Sequence, residues 1–310
     1  MLPKNGLFRN ASPLPEWLES EYPFNRHFFT GCEYTLHFVD EGSGPPILLM
    51  HGNPTWSFLW RKIIPQLVNA GYRVIAPDLF GLGLSEKPHY RSAHTLASHA
   101  KHIGALIRHL DLHHLTIVGQ DWGGPIIGLA AAMNPQRIHG AVFCNTAIRA
   151  VRKPPRITPF HRISHWPIIG ELLFRHLNLP VAGMRFAQGK NAKMDPICRK
   201  AYRYPLKNHA DRTAPLALAQ MVPLDLEHPS VPQLETVQSW AENFQGPVKL
   251  VWGMQDPILG QAVHGTQKLF PKAQTIETDA GHFLQEQVPN VLAESIISVS
   301  SKQTQKAYAY

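Results

Sequence analysis

Apolar positions along this chain fall into two patterns. Short, nearly continuous apolar runs end in Gly, Asp or Asn, and longer stretches with helical spacing separate them. The runs predict strands over YTLHFVDEG (34–42), PILLMHGN (46–53), YRVIAPD (72–78), LTIVGQD (115–121), GAVFCNTA (140–147), VKLVWGMQD (248–256) and QTIETDAG (274–281). An earlier strand near 26–30 is expected to pair with the first of these. The helical spacing predicts helices over WRKIIPQLVNA (60–70), HTLASHAKHIGALIRHL (94–110), GPIIGLAAAM (124–133), VPQLETVQSWAENF (231–244) and LAESIISVSSK (292–302). Strands buried on both faces that alternate with helices mark an α/β protein with a mostly parallel central sheet flanked by helices.

The alternation breaks once. From about 148 to 223 the chain is rich in proline, basic and helical in character, beginning RAVRKPPRITPFHRISHWPIIGELLF. Proline limits each helix there to a few turns. The segment follows one strand and precedes the helix before the next, so it is expected to lie as a lid over the C-terminal strand ends, where open α/β sheets bind ligands. The expected organisation is a main domain in two parts, 1–147 and 224–310, with a helical lid at 148–223. The tail QTQKAYAY (303–310) is expected to fray.

Composition narrows the classes. A chain of 310 residues, 44% hydrophobic, is long enough for one large domain with an insertion. Its longest apolar stretches, such as ILLM and IIGLAAAM, fall short of the ~18 residues that suggest a membrane span. The first residues contain no apolar core of a secretory signal. Three cysteines, Cys32, Cys144 and Cys198, form no C-x-x-C pair and leave one unpaired, which fits reduced thiols and a cytoplasmic location. No metal site is expected from them.

Charge is uneven. Of the net +8, the segment from Arg149 to Pro215 carries fourteen Lys/Arg against three acids, a net of +11, leaving −3 for the rest. These charges are interleaved with apolar and proline residues and match no nucleic-acid motif, so neither nucleic acid nor membrane is expected as a partner. Self-association through this basic segment, which carries apolar runs such as WPIIGELLF, is the partner reading that remains.

The chemistry concentrates at the ends of predicted strands. Gly119-Gln120-Asp121-Trp122-Gly123 has the frame of a strand-turn-helix nucleophile elbow, with Asp121 in the place usually held by serine. A carboxylate is already ionised at neutral pH and needs no base to activate it, which frees a histidine for a later step. Asn53 follows LLMHG, Asp256 closes VKLVWGMQD and His282 follows TDAG. The order nucleophile, acid, histidine is that of serine enzymes on this architecture. Asn145, at the end of the strand before the lid, cannot balance a charge, which favours Asp256 as the acid. Trp56 reads as a core aromatic and His51 as a turn-shaping residue.

Taken together, HGNPTWSFLWR (51–61), PDLFGLGLSEKP (77–88), VGQDWGGPIIG (118–128), WGMQDPILG (252–260) and AGHFLQEQVP (280–289) resemble the haloalkane dehalogenases of the α/β-hydrolase superfamily, in the family's order and over nearly the whole chain. Gly81-x-Gly83 alone would be a weak hint of nucleotide binding, since Glu86 stands where a third glycine should be. The resemblance implies an α/β-hydrolase fold, a halogenated alkane and water as substrates, an alcohol and a halide ion as products, and no cofactor or metal. It implies that Asp121 displaces halide from a saturated carbon and that His282 activates water to hydrolyse the resulting alkyl ester. Asp256 would hold and charge-balance His282. Trp122, whose indole N–H donates but never accepts, and the Asn53 amide would bind the leaving halide, while the backbone N–H groups of both would form an oxyanion hole.

Two branches of the same superfamily compete. Epoxide hydrolases share the aspartate and often the tryptophan, but usually carry an aromatic residue where this chain has Asn53, and need lid tyrosines as acids. The lid offers Tyr202 and Tyr204. Fluoroacetate dehalogenases carry arginine after the nucleophile, against Trp122 here. A non-enzymatic ligand receptor on the same fold is the rival from another class, and it has no evident use for Asn53, Trp122 and Asp256 together.

Overall fold

The computed structural model describes residues 2, 3, 6–153, 157–189 and 194–301. The predicted strands and one further strand form a single sheet among the described residues, β1 (Phe8–Asn10), β2 (Arg26–Phe29), β3 (Leu36–Glu41), β4 (Pro46–Met50), β5 (Arg73–Pro77), β6 (Leu115–Gln120), β7 (Ile138–Cys144), β8 (Val248–Gly253) and β9 (Gln274–Thr278). Their order across the sheet is β1-β2-β3-β5-β4-β6-β7-β8-β9. From β5 through β9 neighbouring strands run parallel, whereas β1, β2 and β3 pair antiparallel and β3 joins β5 antiparallel. The strand expected near 26–30 is β2, and it pairs with β3 as anticipated. Strand β1 had no signal: it is three residues long and lacks a continuous apolar run.

Burial explains why the central strands read so clearly. All six residues of β6 are buried, and Ile47 to Met50 of β4 are fully buried. Both faces of these strands are covered, so no polar alternation is tolerated. Helices Leu96–His109, Gly123–Ala132 and Ser230–Asn243 pack together on one face, and Pro289–Ser300 packs against β7 and β8. The helix predicted over 60–70 is a 3₁₀ turn (Ser57–Trp60) followed by Ile64–Asn69, because Pro65 can only stand in the first turn of the second piece. Helix Val263–Leu269 was missed in the pattern. The tail 303–310, expected to fray, lies outside the described residues.

Between β7 and helix Ser230–Asn243 the described residues form short helices and no strand. The longest are Leu179–Ala187, Pro196–Arg203 and Thr213–Gln220. Pro159, Pro167, Pro180 and Pro196 each stand in the first turn of a helix, so proline here starts helices as much as it limits them. Trp56 is a core aromatic, buried and donating from its indole to the carbonyl of Ala201 in this segment (3.2 Å). Among the described residues, no helix is long and apolar enough to cross a membrane.

The stretch PDLFGLGLSEKP folds around a buried carboxylate. Asp78 accepts hydrogen bonds from the backbone N–H of Ser57 and Leu84 (both 2.7 Å) and pairs with His37 Nδ1 at 2.9 Å. Burial alone would raise its pKa, but the His37 charge and hydrogen bond outweigh it and bring it down to about 2. Gly83 has φ +51°, and a Cβ there would strike the Asp78 carboxylate. Gly83 therefore serves a turn around Asp78.

Candidate active site

Five parallel strands end on the same edge of the sheet, and the loops beyond them converge. Asn53 follows β4, Asp121 follows β6 directly, Asn145 follows β7, Asp256 follows β8 and His282 follows β9. Residues 135 positions apart in the chain are thereby brought to one point.

Asp121 stands at a strained turn. Its φ is +51°, in the left-handed region that L-residues rarely adopt. The glycines around it are there for space. A Cβ on Gly123 would strike the Met50 carbonyl, one on Gly52 would strike Asp121 itself, and one on Gly119 would lie 2.7 Å from the Gly124 Cα. The turn is held by Asp121 N–H donating to the Asn145 carbonyl (3.0 Å) and by Thr146 Oγ1 donating to the Asp121 carbonyl (2.6 Å). Helix Gly123–Ala132 starts immediately afterwards, with its positive end toward the site.

The two carboxylate oxygens of Asp121 face different partners. Oδ1 accepts the backbone N–H of Asn53 at 2.7 Å. Oδ2 lies 3.6 Å from His282 Nε2, too far for a hydrogen bond. Burial raises the Asp121 pKa above its usual value, while the His282 charge and the backbone N–H groups of Trp122 and Asn53 pull the other way.

His282 is held from behind. Its Nδ1 pairs with Asp256 Oδ2 at 2.8 Å, and both side chains are essentially buried. Burial disfavours the imidazolium, but the charge and hydrogen bond of Asp256, then the charge of Asp121, outweigh it and raise the His282 pKa. Burial would likewise raise Asp256, yet His282, the Asn145 amide and the Ile258 N–H bring its pKa below the usual carboxylate range. Asn145 Nδ2 donates to Asp256 Oδ2 (2.7 Å) and the Ile258 N–H donates to Oδ1 (2.7 Å).

All five predicted site residues therefore come together. The Asn53 side chain carries an addition: its Nδ2 donates to the carbonyl of Pro215 (3.0 Å), so one amide hydrogen ties the main domain to helix Thr213–Gln220. Asn53, Asp121, Trp122 and His282 line a cavity of about 300 Å³ whose other walls are mostly apolar, among them Phe160, Leu179, Met184, Ile258 and Phe283. A second cavity of about 210 Å³ shares Asp121, Trp122, His161 and Ile258 with the first. His51, expected to shape a turn, does so: Nδ1 bonds the Gly52 carbonyl and Nε2 accepts from the Leu79 N–H.

The chain is similar to known proteins in sequence and fold. A family described as the alpha/beta hydrolase fold matches residues 45–178. A haloalkane dehalogenase of Mycobacterium marinum is 34% identical over 289 residues, which is 89% of this chain and 94% of the relative. Haloalkane dehalogenase 2 of Mycobacterium bovis is 34% identical over 281 residues, 89% of this chain and 95% of its own length. The chain belongs to the haloalkane dehalogenase family. Its α/β-hydrolase fold also superposes on the haloalkane dehalogenase DatA of Agrobacterium tumefaciens with a TM-score of 0.80, at 26% identity, over 90% of this chain and 96% of that one.

Within this family member, three polar contacts of the site escaped the sequence reading. Asn145, excluded as an acid because it carries no charge, grips the acid: its amide donates to Asp256 and its Oδ1 accepts the Gly253 N–H (2.7 Å). Gln120 Nε2 contacts both the His282 carbonyl and His282 Nε2 (3.1 Å each), which steadies the ring. His161, from the segment between β7 and helix Ser230–Asn243, lines both cavities. Each of these depends on a fold contact between segments far apart in sequence or on a loop orientation, and no local motif announces it.

Proposed function

We propose that this protein hydrolyses haloalkanes to alcohol and halide through an alkyl ester on Asp121, beneath a lid formed by residues 148–223. The observation that carries the assignment is the division of labour on the Asp121 carboxylate. Oδ1 accepts the Asn53 N–H, whereas Oδ2 lies 3.6 Å from His282 Nε2 without a hydrogen bond to it, in a residue that lines the cavity. A carboxylate so placed attacks with Oδ2: a carbon–oxygen bond forms as the carbon–halogen bond breaks, and the electron pair leaves with the halide. The Trp122 indole and the remaining Asn53 amide hydrogen stabilise that charge, and both residues line the cavity. In the second step His282 Nε2 takes a proton from water, whose oxygen adds to the Asp121 carboxyl carbon. Negative charge then builds on Oδ1, already within reach of the Asn53 N–H. Collapse of this intermediate expels the alkoxide, which takes the proton back as alcohol. The Asp121 carboxyl left protonated by this collapse gives its proton to solvent, so the net change consumes one water and releases alcohol, halide ion and one proton, without a redox partner.

The epoxide reading needs a phenolic acid in the cavity. Tyr202 is fully buried and donates to Glu286 Oε1 (2.6 Å), and Tyr204 lines a separate groove with Arg199 and Lys207. Neither lines the cavity that contains Asp121. The direct test is bromide and chloride release from a panel of haloalkanes run beside styrene oxide. Bromoalkanes are expected to release bromide steadily and fluoroalkanes to react poorly, because the carbon–fluorine bond is stronger. Epoxide opening without bromide release would overturn the assignment.

The halide donors give a second expected result. Trp122→Phe and Asn53→Ala should each slow halide displacement by about 2–4 kcal/mol if they behave like preorganised oxyanion donors, a loss of ~100- to 1000-fold read in single-turnover bromide release. Trp122→Phe is the cleaner variant, since Asn53→Ala also cuts the tie to Pro215. Unchanged turnover in Trp122→Phe would remove its indole from the halide site.

A further inference from the structure

His161 belongs to no part of the mechanism above, yet it lines both cavities and stands where they meet, beside Asp121, Trp122 and Ile258. It is carried by lid helix Pro159–Ser164, capped by Thr158. Of the side chains that the segment 148–223 places against the first cavity, His161 is the polar one among the described residues; its neighbours there include Phe160, Leu179, Met184, Phe186 and Ala219.

The hydrogen bonds around it are the basis for assigning which ring nitrogen carries the proton. Thr158 Oγ1 accepts the His161 backbone N–H (3.4 Å) and lies 2.7 Å from His161 Nδ1. With one lone pair of the hydroxyl already taken by that N–H, we assign the hydroxyl as the donor and Nδ1 as the acceptor of this contact. Neutral imidazole then carries its hydrogen on Nε2, the nitrogen left for the cavity. Burial, followed by the charges of His282 and His165, holds its pKa down to about 4, so the ring stays neutral at ordinary working pH. The result is an uncharged N–H donor on an otherwise apolar lid wall.

Burying such a donor against a purely hydrocarbon substrate leaves its hydrogen unpaired at a cost, whereas a substrate with an acceptor atom there recovers a hydrogen bond. Resting on the dehalogenase reading, we propose that His161 Nε2–H is a specificity-determining donor that favours haloalkanes bearing an oxygen acceptor close to the reacting carbon over unsubstituted haloalkanes of the same size. A substrate whose reacting carbon lies against Asp121 passes His161 whichever cavity takes the rest of its chain, which places the acceptor within a bond or two of that carbon.

The test uses an isosteric pair, 1-bromobutane and 1-bromo-2-methoxyethane, which differ by one methylene replaced with an ether oxygen that can only accept. Bromide release gives kcat/KM for each in wild type, His161→Phe and His161→Gln. Intrinsic reactivity differences cancel when the ether-to-alkane ratio is compared between proteins. His161→Phe is expected to lower that ratio roughly fivefold or more, the size of one net hydrogen bond. His161→Gln, which keeps a donor, is expected to restore much of it. In wild type the ratio should stay flat between pH 6 and 9 even where the absolute rates change with His282. An unchanged ratio in a folded His161→Phe variant, or a wild-type ratio that follows pH, overturns the role given to His161 while leaving the dehalogenase reading intact. No bromide from either compound in wild type overturns that reading and this one with it.

Discussion

His282→Phe is expected to release one equivalent of bromide per enzyme in a burst and then stop. In the proposed mechanism, attack by Asp121 draws on no proton transfer, since Oδ2 makes no hydrogen bond with His282 Nε2 at 3.6 Å. Hydrolysis of the ester does need a base to take a proton from water, and phenylalanine cannot supply one. Alkyl-enzyme should therefore accumulate, with intact mass raised by the alkyl group and the label on a peptide containing Asp121. A serine nucleophile would behave differently, since its hydroxyl depends on the histidine and the same change would suppress the first step as well. Asp121→Asn should give neither bromide nor adduct in short assays. If a folded His282→Phe protein gives no burst and no adduct while Asp121→Asn is inactive too, histidine is required for the attack and the proposed sequence of steps is wrong.

Replacing Asp256 by asparagine is expected to slow turnover by a factor on the order of 10³ to 10⁴, as in other triads that lose the acid but keep its shape. The hydrogen bonds explain why a near-isosteric amide fails. Oδ1 accepts from the Ile258 N–H, and Oδ2 accepts from the Asn145 amide and faces His282 Nδ1. An asparagine must turn its NH₂ toward one of these donors, which either leaves buried hydrogens opposed or forces His282 into the wrong tautomer. The charge matters separately. His282 must be neutral to act on water, so ester hydrolysis should rise with pH through its pKa. In the free enzyme that pKa is raised because Asp256, then Asp121, outweigh burial; in the alkyl-enzyme Asp121 is an uncharged ester, so Asp256 is the charge left to hold the acid limb up against burial. Removing the Asp256 charge lowers it, moving the limb of the residual activity to lower pH. Stability has a related sign. A group with a raised folded pKa contributes stability that is present below its unfolded value and is lost as pH rises through the folded one. Measured by single-turnover ester hydrolysis, an unmoved acid limb in Asp256→Asn would mean that another group sets it.

Asp121, His282 and the elbow glycines were legible because each is tied to local backbone geometry. A residue at positive φ between a buried strand and a helix demands small neighbours, and Gly119, Gly123 and Gly124 write that demand into the positions flanking Asp121. The central strands were legible for a similar reason: burial on both faces leaves a continuous apolar run. Asp256 was a candidate acid from its place at a strand end, and in the fold its Oδ2 lies 2.8 Å from His282 Nδ1.

Contacts decided by distance in space had no such trace. Nothing in the run FCNTA indicates that Asn145 bonds an aspartate 111 positions later, since its reach depends on β7 lying beside β8. The pairing of Asn53 with the Pro215 carbonyl, of Tyr202 with Glu286, and the seat of His161 between two cavities depend on how proline-broken helices settle onto the sheet. Backbone strain and burial act within a few residues and so are spelled out along the chain. Side-chain hydrogen bonds across 100 or more residues are set by packing, which only the folded chain supplies.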